Sequence, residues 1–251
     1  MRSEIVFRIR RQDGPQEPSY VQEFRLNYRP NLNIIACLQE IARHPVDTSG
    51  KATSPPVWDC SCLEEVCGAC TMLVNGVPRQ SCSTLIDSLP SGPIELAPLT
   101  KFPVVRDLMV DRKPMFEALK QIHGWIPIDG THDLGPGPRR PPDQARISYV
   151  FSRCMTCGCC MEACPNYDGK DPSQFIGPAP LGQTHYFNTN PIGAMNAGER
   201  LDAVMGRNGL TGCGNAQNCV EVCPKEIPLT DAIAQLNRQA NRHWLTTLFG
   251  R

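Results

Sequence analysis

At 251 residues, with basic and acidic side chains balanced at 25 each, the chain can bury one large core or two small ones and needs no cross-linking staples. Zero net charge removes the electrostatic footprint of a nucleic-acid binder, or of a protein held to anionic lipid by charge alone. Of the 14 cysteines, all but one gather in three dense groups, unlike the spread pairs of a short secreted scaffold, and so point to metal rather than disulfides.

Met1 runs straight into the alternating stretch Glu4 to Arg10, with no charged-then-apolar leader, which makes the reducing cytoplasm the expected location. No stretch approaches the ~18 uninterrupted apolar residues of a membrane-spanning helix. Ile5, Phe7 and Ile9 alternate, and Phe24, Leu26 and Tyr28 do the same, the period of a half-buried hairpin. The period then changes. Ile34, Ile35, Leu38, Ile41 and Ala42 share one face of a helix that Asn33 caps and Pro45 closes. Asn75-Gly76, between TMLV and PRQSC, is a strong hairpin signal and puts Cys82 on the returning strand.

Beyond about Val110 the pattern becomes helical, at Met115 to Ile122, Met195 to Met205 and Leu229 to Leu236. Proline- and glycine-rich stretches join these segments; Ile126 to Pro142 reads as a long surface connection. Two domains are expected, 1–110 and 111–251, with their boundary near residues 107–113. The histidines His44, His123, His132, His185 and His243 form no ligand pair and are expected at the surface or hydrogen-bonded. Trp58, Trp125 and Trp244 read as packing or interface anchors. No glycine-rich phosphate loop is present.

The first cysteine group, CSCLEEVCGACTMLVNGVPRQSC, gives C-x4-C-x2-C from Cys62, Cys67 and Cys70, with Cys82 further on: plant-type 2Fe-2S spacing. Two irons need four converging thiolates, and Gly68 lets the backbone approach the inorganic sulfides. Cys60, two residues before Cys62, reads as a small apolar bystander. The second group, CMTCGCCMEACP, has Cys154, Cys157, Cys160 and Cys164 in C-x2-C-x2-C-x3-C-P spacing, with Cys159 off register and expected to be buried filler. Pro165 ends the local helical turn because it has no amide donor.

The third group, CGNAQNCVEVCP, repeats the second: Cys213 matches Cys154, Cys219 matches Cys160, Glu221 matches Glu162, and Cys223-Pro224 matches Cys164-Pro165. Only Cys157 meets a different residue, Ala216. In two-cluster ferredoxins the fourth cysteine of each run serves the other cluster. One cluster therefore collects Cys154, Cys157, Cys160 and Cys223, which suits 4Fe-4S, and the other collects Cys164, Cys213 and Cys219, which suits 3Fe-4S. Structural zinc in an interaction module is the competing reading; it needs four ligands per site and leaves the C-x3-C-P ending unexplained. Three clusters in one chain make an electron relay, with no catalytic residue of its own.

This order of features resembles the iron-sulfur subunit of succinate dehydrogenase and fumarate reductase, nearly end to end. YRPNLNII, CLEEVCGACTMLVNGVPRQSC, FPVVRDLMVDR, WIPIDGTHDLGPGPR, CMTCGCC, GPAPLG and NCVEVCPKEIPLT are similar to the form of Gram-positive and related bacteria. The resemblance implies an α+β fold: an N-terminal beta-grasp (plant-type 2Fe-2S ferredoxin) domain, then an all-helical ferredoxin-like domain with two cubane-type clusters. It implies a flavoprotein partner with covalent FAD, where succinate and fumarate interconvert, and a membrane anchor docked on the C-terminal half. Electrons would pass from FAD through 2Fe-2S, 4Fe-4S and 3Fe-4S clusters to quinone, at the cytoplasmic face of the bacterial membrane; fumarate reduction is the reverse alternative.

Relatives that bind ubiquinone on this subunit carry tryptophan soon after the first Cys-Pro and histidine just after the first cysteine of the second run. Here Tyr167, Asp168 and Gly214 stand there, so no quinone site is carried over, although Pro165 and Tyr167 are expected near the 3Fe-4S cluster. The resemblance then implies a single cytochrome b anchor with two haems b that reduces menaquinone.

Overall fold

The computed structural model describes residues 3–126, 138–171 and 174–250. The chain divides into two compact units, Met1–Arg112 with Met155–Ala163, and Lys113–Cys154 with Cys164–Arg251. Most of the surface connection expected at Ile126 to Pro142, and His132 with it, lies outside the described residues.

In the first unit β1 (Glu4–Arg11) and β2 (Tyr20–Asn27) pair antiparallel in the register Ile5↔Leu26 and Phe7↔Phe24. The alternation works as expected, since Ile5, Phe7 and Ile9 are each 0% exposed. Helix α1 (Ile34–Arg43) follows, with Asn33 Oδ1 accepting from Ala36 N at 2.8 Å as its cap. It ends before His44, whose non-helical backbone (φ −134°, ψ 75°) avoids the α region that a following proline disfavours. β3 (Thr71–Val74) turns at Asn75-Gly76 into β4 (Val77–Gln80), and β5 (Ile94–Ala97) runs antiparallel to β3 and parallel to β1. The sheet order is β2-β1-β5-β3-β4, with the first and last strands side by side in the middle: a beta-grasp sheet. One core joins its inner face to Ile34, Ile35, Leu38 and Ile41 of α1.

Two details depart from expectation. Cys82 is not on the returning strand: β4 stops at Gln80, where Ser83 N and Thr84 Oγ1 both donate to Gln80 O, at 3.3 and 2.8 Å, and close a turn. Cys37 stands outside the three groups, inside α1, where burial pushes its thiol up to about 12, an inert core position. A small ribbon of β6 (Val104–Arg106) and β7 (Met109–Val110) ends the unit's first segment, its turn holding Asp107 at φ 48°.

The helices beyond are α2 (Lys113–Gln121), α3 (Pro142–Ser152), α4 (Cys159–Ala163), α5 (Pro178–Thr189), α6 (Ala197–Val204), α7 (Asn218–Glu221) and α8 (Leu229–Leu248). Of these α4 belongs to the first unit. In the second unit α5 is the hub, touching α2, α3, α6 and α8. Arg200 of α6 is buried and reaches back to α5, its Nε donating to Asn188 Oδ1 at 2.8 Å. α8 outruns the predicted Leu229 to Leu236 because its inward stripe continues to Ala240, after which Trp244, Leu245 and Leu248 face outward. His185 departs from the surface or hydrogen-bonded placement expected of it. It is buried on α5 against the edge of Phe151, and among the described residues its Nδ1 has no hydrogen-bond partner.

Candidate metal centres

The first centre is the loop that runs from α1's far side into β3. Leu63, Glu65 and Gly68 take left-handed backbone angles (φ 62°, 56° and 70°), so the loop curls on itself and turns its amides inward. Three of them, from Glu64, Val66 and Cys67, meet at Cys62 Sγ at 3.4, 3.3 and 3.3 Å. Cys67 Sγ accepts from Cys62 N and Ala69 N at 3.5 and 3.4 Å, and Cys70 Sγ from Cys82 N at 3.5 Å. The amides of Glu64, Val66 and Cys67 push the Cys62 thiol down to about 6. On the inner side burial pushes Cys70 up to about 12, and Cys82 is buried beside it, its carbonyl held by the capping Asn33 through a 2.9 Å bond from Nδ2.

Gly68 is constrained by something the sequence did not show. A Cβ there would lie 2.8 Å from Cys157 Cα and 2.9 Å from Met155 O, so the loop presses against the backbone of residues 155–157. Cys60 is half-buried against the first core and Cys159 is fully buried.

Of the second group, Cys157 and Cys160 belong to the first unit and Cys154 and Cys164 to the second. Arg112 donates to Thr156 O at 2.7 Å. The Cys157 thiol is pushed down to about 7, chiefly by the hydrogen bond from Cys159, whose own thiol is pushed well up. Glu162 of α4 explains its place in the motif: Oε1 accepts from Thr100 N and Oγ1 at 3.0 and 2.6 Å, and Oε2 from Lys101 N at 3.1 Å. Cys154 N donates to Phe151 O just past α3, and Cys223 Sγ accepts from Ile227 N at 3.4 Å.

The third group lies wholly in the second unit. Cys164, Cys213 and Cys219 line one concavity, with Pro165, Ala216 and Ile233 among its other walls. Burial pushes the Cys219 thiol up to about 11, and the nearby sulfurs of Cys164 and Cys213 push the same way. Gly214 packs where a Cβ would sit 2.9 Å from Asn166 Oδ1, so the position has no room for a side chain such as histidine unless Asn166 moves. Tyr167 is buried next to Asn166 in sequence.

No three His, Cys, Asp or Glu among the described residues converge as ligands to a single ion. A polynuclear iron-sulfide core instead shares its thiolates among two or more irons, which suits sulfurs spread around a cavity or a curled loop. The donor set is thiol, the loop supplies N–H groups to those sulfurs, and the third group supplies a hollow: the residues present fit iron-sulfur clusters.

The comparisons agree with this chemistry. Residues 6–117 match the family described as a 2Fe-2S iron-sulfur cluster binding domain, and residues 150–227 a 4Fe-4S dicluster domain. The chain is 56% identical to the succinate dehydrogenase iron-sulfur subunit of Bacillus subtilis over 98% of its length and 96% of that protein. It is 30% identical to the fumarate reductase iron-sulfur subunit of Wolinella succinogenes over 93% of its length and 95% of that protein. Its fold superposes on a chain of the Mycobacterium smegmatis Sdh1 complex in the apo form with a TM-score of 0.80, at 21% identity, covering 96% of each chain.

Proposed function

This chain belongs to the iron-sulfur subunit family of succinate dehydrogenases and fumarate reductases, and on that premise we propose how its cysteines divide the labour of electron transfer. Cys62, Cys67, Cys70 and Cys82 hold the 2Fe-2S cluster; Cys154, Cys157, Cys160 and Cys223 hold the 4Fe-4S cluster; Cys164, Cys213 and Cys219 hold the 3Fe-4S cluster. Bound there, the clusters supply a series of one-electron carriers.

The chain's own work is to hold them and set their potentials. The amides of Glu64, Val66 and Cys67 favour the thiolate of Cys62 and, by the same polarity, a more reduced cluster beside it. The observation that carries the assignment is Ala216. It stands in the wall of the hollow that Cys164, Cys213 and Cys219 share, where the parallel run has Cys157, and it leaves that site one thiolate short.

In this reading the dicarboxylate chemistry sits on a flavoprotein partner carrying covalent FAD, and the second unit docks on a membrane anchor. Among the described residues no helix is long and apolar enough to cross a membrane, which fits a subunit held at the cytoplasmic face by that anchor. With Gly214 where a histidine would crowd Asn166, the quinone site belongs to the anchor, a di-haem cytochrome b working with menaquinone. The domains follow the same division, a 2Fe-2S domain over 1–110 and a cluster-bearing helical domain over 111–251.

Electron paramagnetic resonance of the assembled complex tests this. A signal near the free-electron value in the oxidised sample is expected from 3Fe-4S, and a distinct 2Fe-2S signal after reduction by succinate. A colourless protein that holds zinc and no acid-labile sulfide would end the iron-sulfur assignment. Rates of succinate oxidation and fumarate reduction in the same complex give the working direction, since one relative is named as a fumarate reductase iron-sulfur subunit.

A further inference from the structure

Gln80 ends β4 and is 2% exposed, yet it brings a full primary amide into the first unit's interior. A leucine would fill the space without the cost of burying polar atoms, so the amide needs partners and a reason. Its partners are two sulfurs and a hydroxyl. Nε2 donates to Thr71 Oγ1 at 2.6 Å and to Cys159 Sγ at 3.6 Å, while Oε1 accepts from the thiol of Cys70 at 3.5 Å. Thr71 Oγ1 in turn donates to the carbonyl of Gly68, the residue pressed against Cys157. One side chain thus spans a sulfur of the 2Fe-2S loop and the sulfur beside Cys157 and Cys160.

Metal binding takes the proton from Cys70, because only the thiolate is a ligand. Oε1 would then face a sulfur with no proton to give, acceptor against acceptor. Turning the terminal amide over exchanges its two ends at the same positions, which a primary amide does without moving its carbon chain. Nε2 then donates to Cys70 Sγ. Oε1 then faces Thr71 Oγ1 and Cys159 Sγ; each carries one proton, which Thr71 turns from Gly68 O and Cys159 from Cys157 to donate it here.

We propose that Gln80 is a positioning residue for the 2Fe-2S cluster: in the loaded protein its amide donates a hydrogen bond to Cys70 Sγ and accepts one from the uncoordinated thiol of Cys159. This rests on the reading of Cys70 as a 2Fe-2S ligand. A donor to a ligand sulfur favours the more negative, reduced cluster and so raises its potential. It also gives Cys159 a task that keeps it out of both clusters.

The test is a redox titration of the assembled complex, followed by electron paramagnetic resonance, for the wild type, Gln80→Leu and Gln80→Glu. Gln80→Leu is expected to lower the reduced-to-oxidised ratio of the 2Fe-2S cluster at fixed poise about tenfold, roughly 59 mV for a one-electron couple. Gln80→Glu, which accepts but cannot donate when ionised, is expected to lower it further. Midpoints unchanged in both variants overturn the proposal. A wild type with no 2Fe-2S resonance overturns the ligand assignment, and the proposal with it. Should neither variant load the cluster, the wild type labelled with ¹⁵N at the glutamine side-chain amide decides: a nitrogen hyperfine coupling from that label to the reduced 2Fe-2S cluster supports the bond, and its absence overturns it.

Discussion

Arg11 and Asp107, each with a side chain 0% exposed, form an ion pair at 2.9 Å. Asp107 also accepts from Gln12 N at 3.0 Å and Val57 N at 2.9 Å, and Arg11 reaches the carbonyls of Ser54 and Pro55 at 3.1 and 3.4 Å. The pair therefore fastens the segment at 54–57, which leads into the cysteine loop, to the end of strand β1. Buried pairs add little over an apolar pair, but removing one partner strands a charge. Asp107→Asn is expected to cost about 3–5 kcal/mol, read as a lower denaturant midpoint at unchanged slope. The double change Arg11→Met with Asp107→Leu should cost clearly less than the sum of its parts, and a full sum would mean the pair is not coupled.

Glu162 and Glu221 occupy the same place in the two cysteine runs but not the same environment. Glu162 is buried and takes three hydrogen bonds from Thr100 and Lys101, whereas Glu221 is exposed. Glu162→Ala leaves those donors without an acceptor and is expected to cost about 1.5–3 kcal/mol. Glu221→Ala should stay within about 0.5 kcal/mol of the wild type. Parallel thermal unfolding of the two variants is the check; equal losses would show that the repeat, rather than the buried contact, sets the residue's value.

His185 makes stability depend on pH. Burial pushes its imidazole below the ordinary 6.5, and among the described residues its Nδ1 has no hydrogen-bond partner. Below 6.5 the unfolded chain binds a proton that the native chain refuses, so this residue's contribution is complete above that value. It is lost as the pH falls from there toward the lowered native value, at up to ~1.36 kcal/mol per pH unit. Denaturant unfolding from pH 8 down to about 5 should show a steeper loss in the wild type than in His185→Leu. Parallel curves would mean that the imidazole is already charged in the fold.

Local chemistry was legible in the sequence. The alternation of Ile5, Phe7 and Ile9, the Asn33 cap and the Asn75-Gly76 turn each depend on neighbours a few residues away, and all appear as read. The cysteine spacings are legible for the same reason, since a cluster's geometry is imposed on a short loop. Pairing at long range was not. The parallel register Phe7↔Ile94 leaves no mark in either strand, and Arg11 closes an alternating segment just as an exposed arginine would. Nor does periodicity reveal that Gly68 abuts Cys157 or that Gln80 reaches Cys159, because those contacts join segments far apart in sequence, 79 residues in the case of Gln80 and Cys159. His185 was misjudged because an isolated histidine looks alike on either face of a helix with little amphipathic pattern, and α5, as the hub of its unit, is buried nearly all round.

Ala216 is the position where one substitution should change the relay most. It lies in the wall of the hollow lined by Cys164, Cys213 and Cys219, flanked by Asn215 and Gln217 in left-handed conformation at φ 55° and 67°. A thiol at 216 would stand in the wall of the same hollow as the three already there. Ala216→Cys is expected to complete a fourth ligand, convert 3Fe-4S to 4Fe-4S and abolish the oxidised-state resonance near the free-electron value. The added thiolate charge should also lower that cluster's potential and slow electron delivery to quinone. Ala216→Ser, nearly the same size and without a thiolate, should keep the oxidised signal. If Ala216→Cys kept it as well, the cluster in this hollow would not be limited by its count of thiolates.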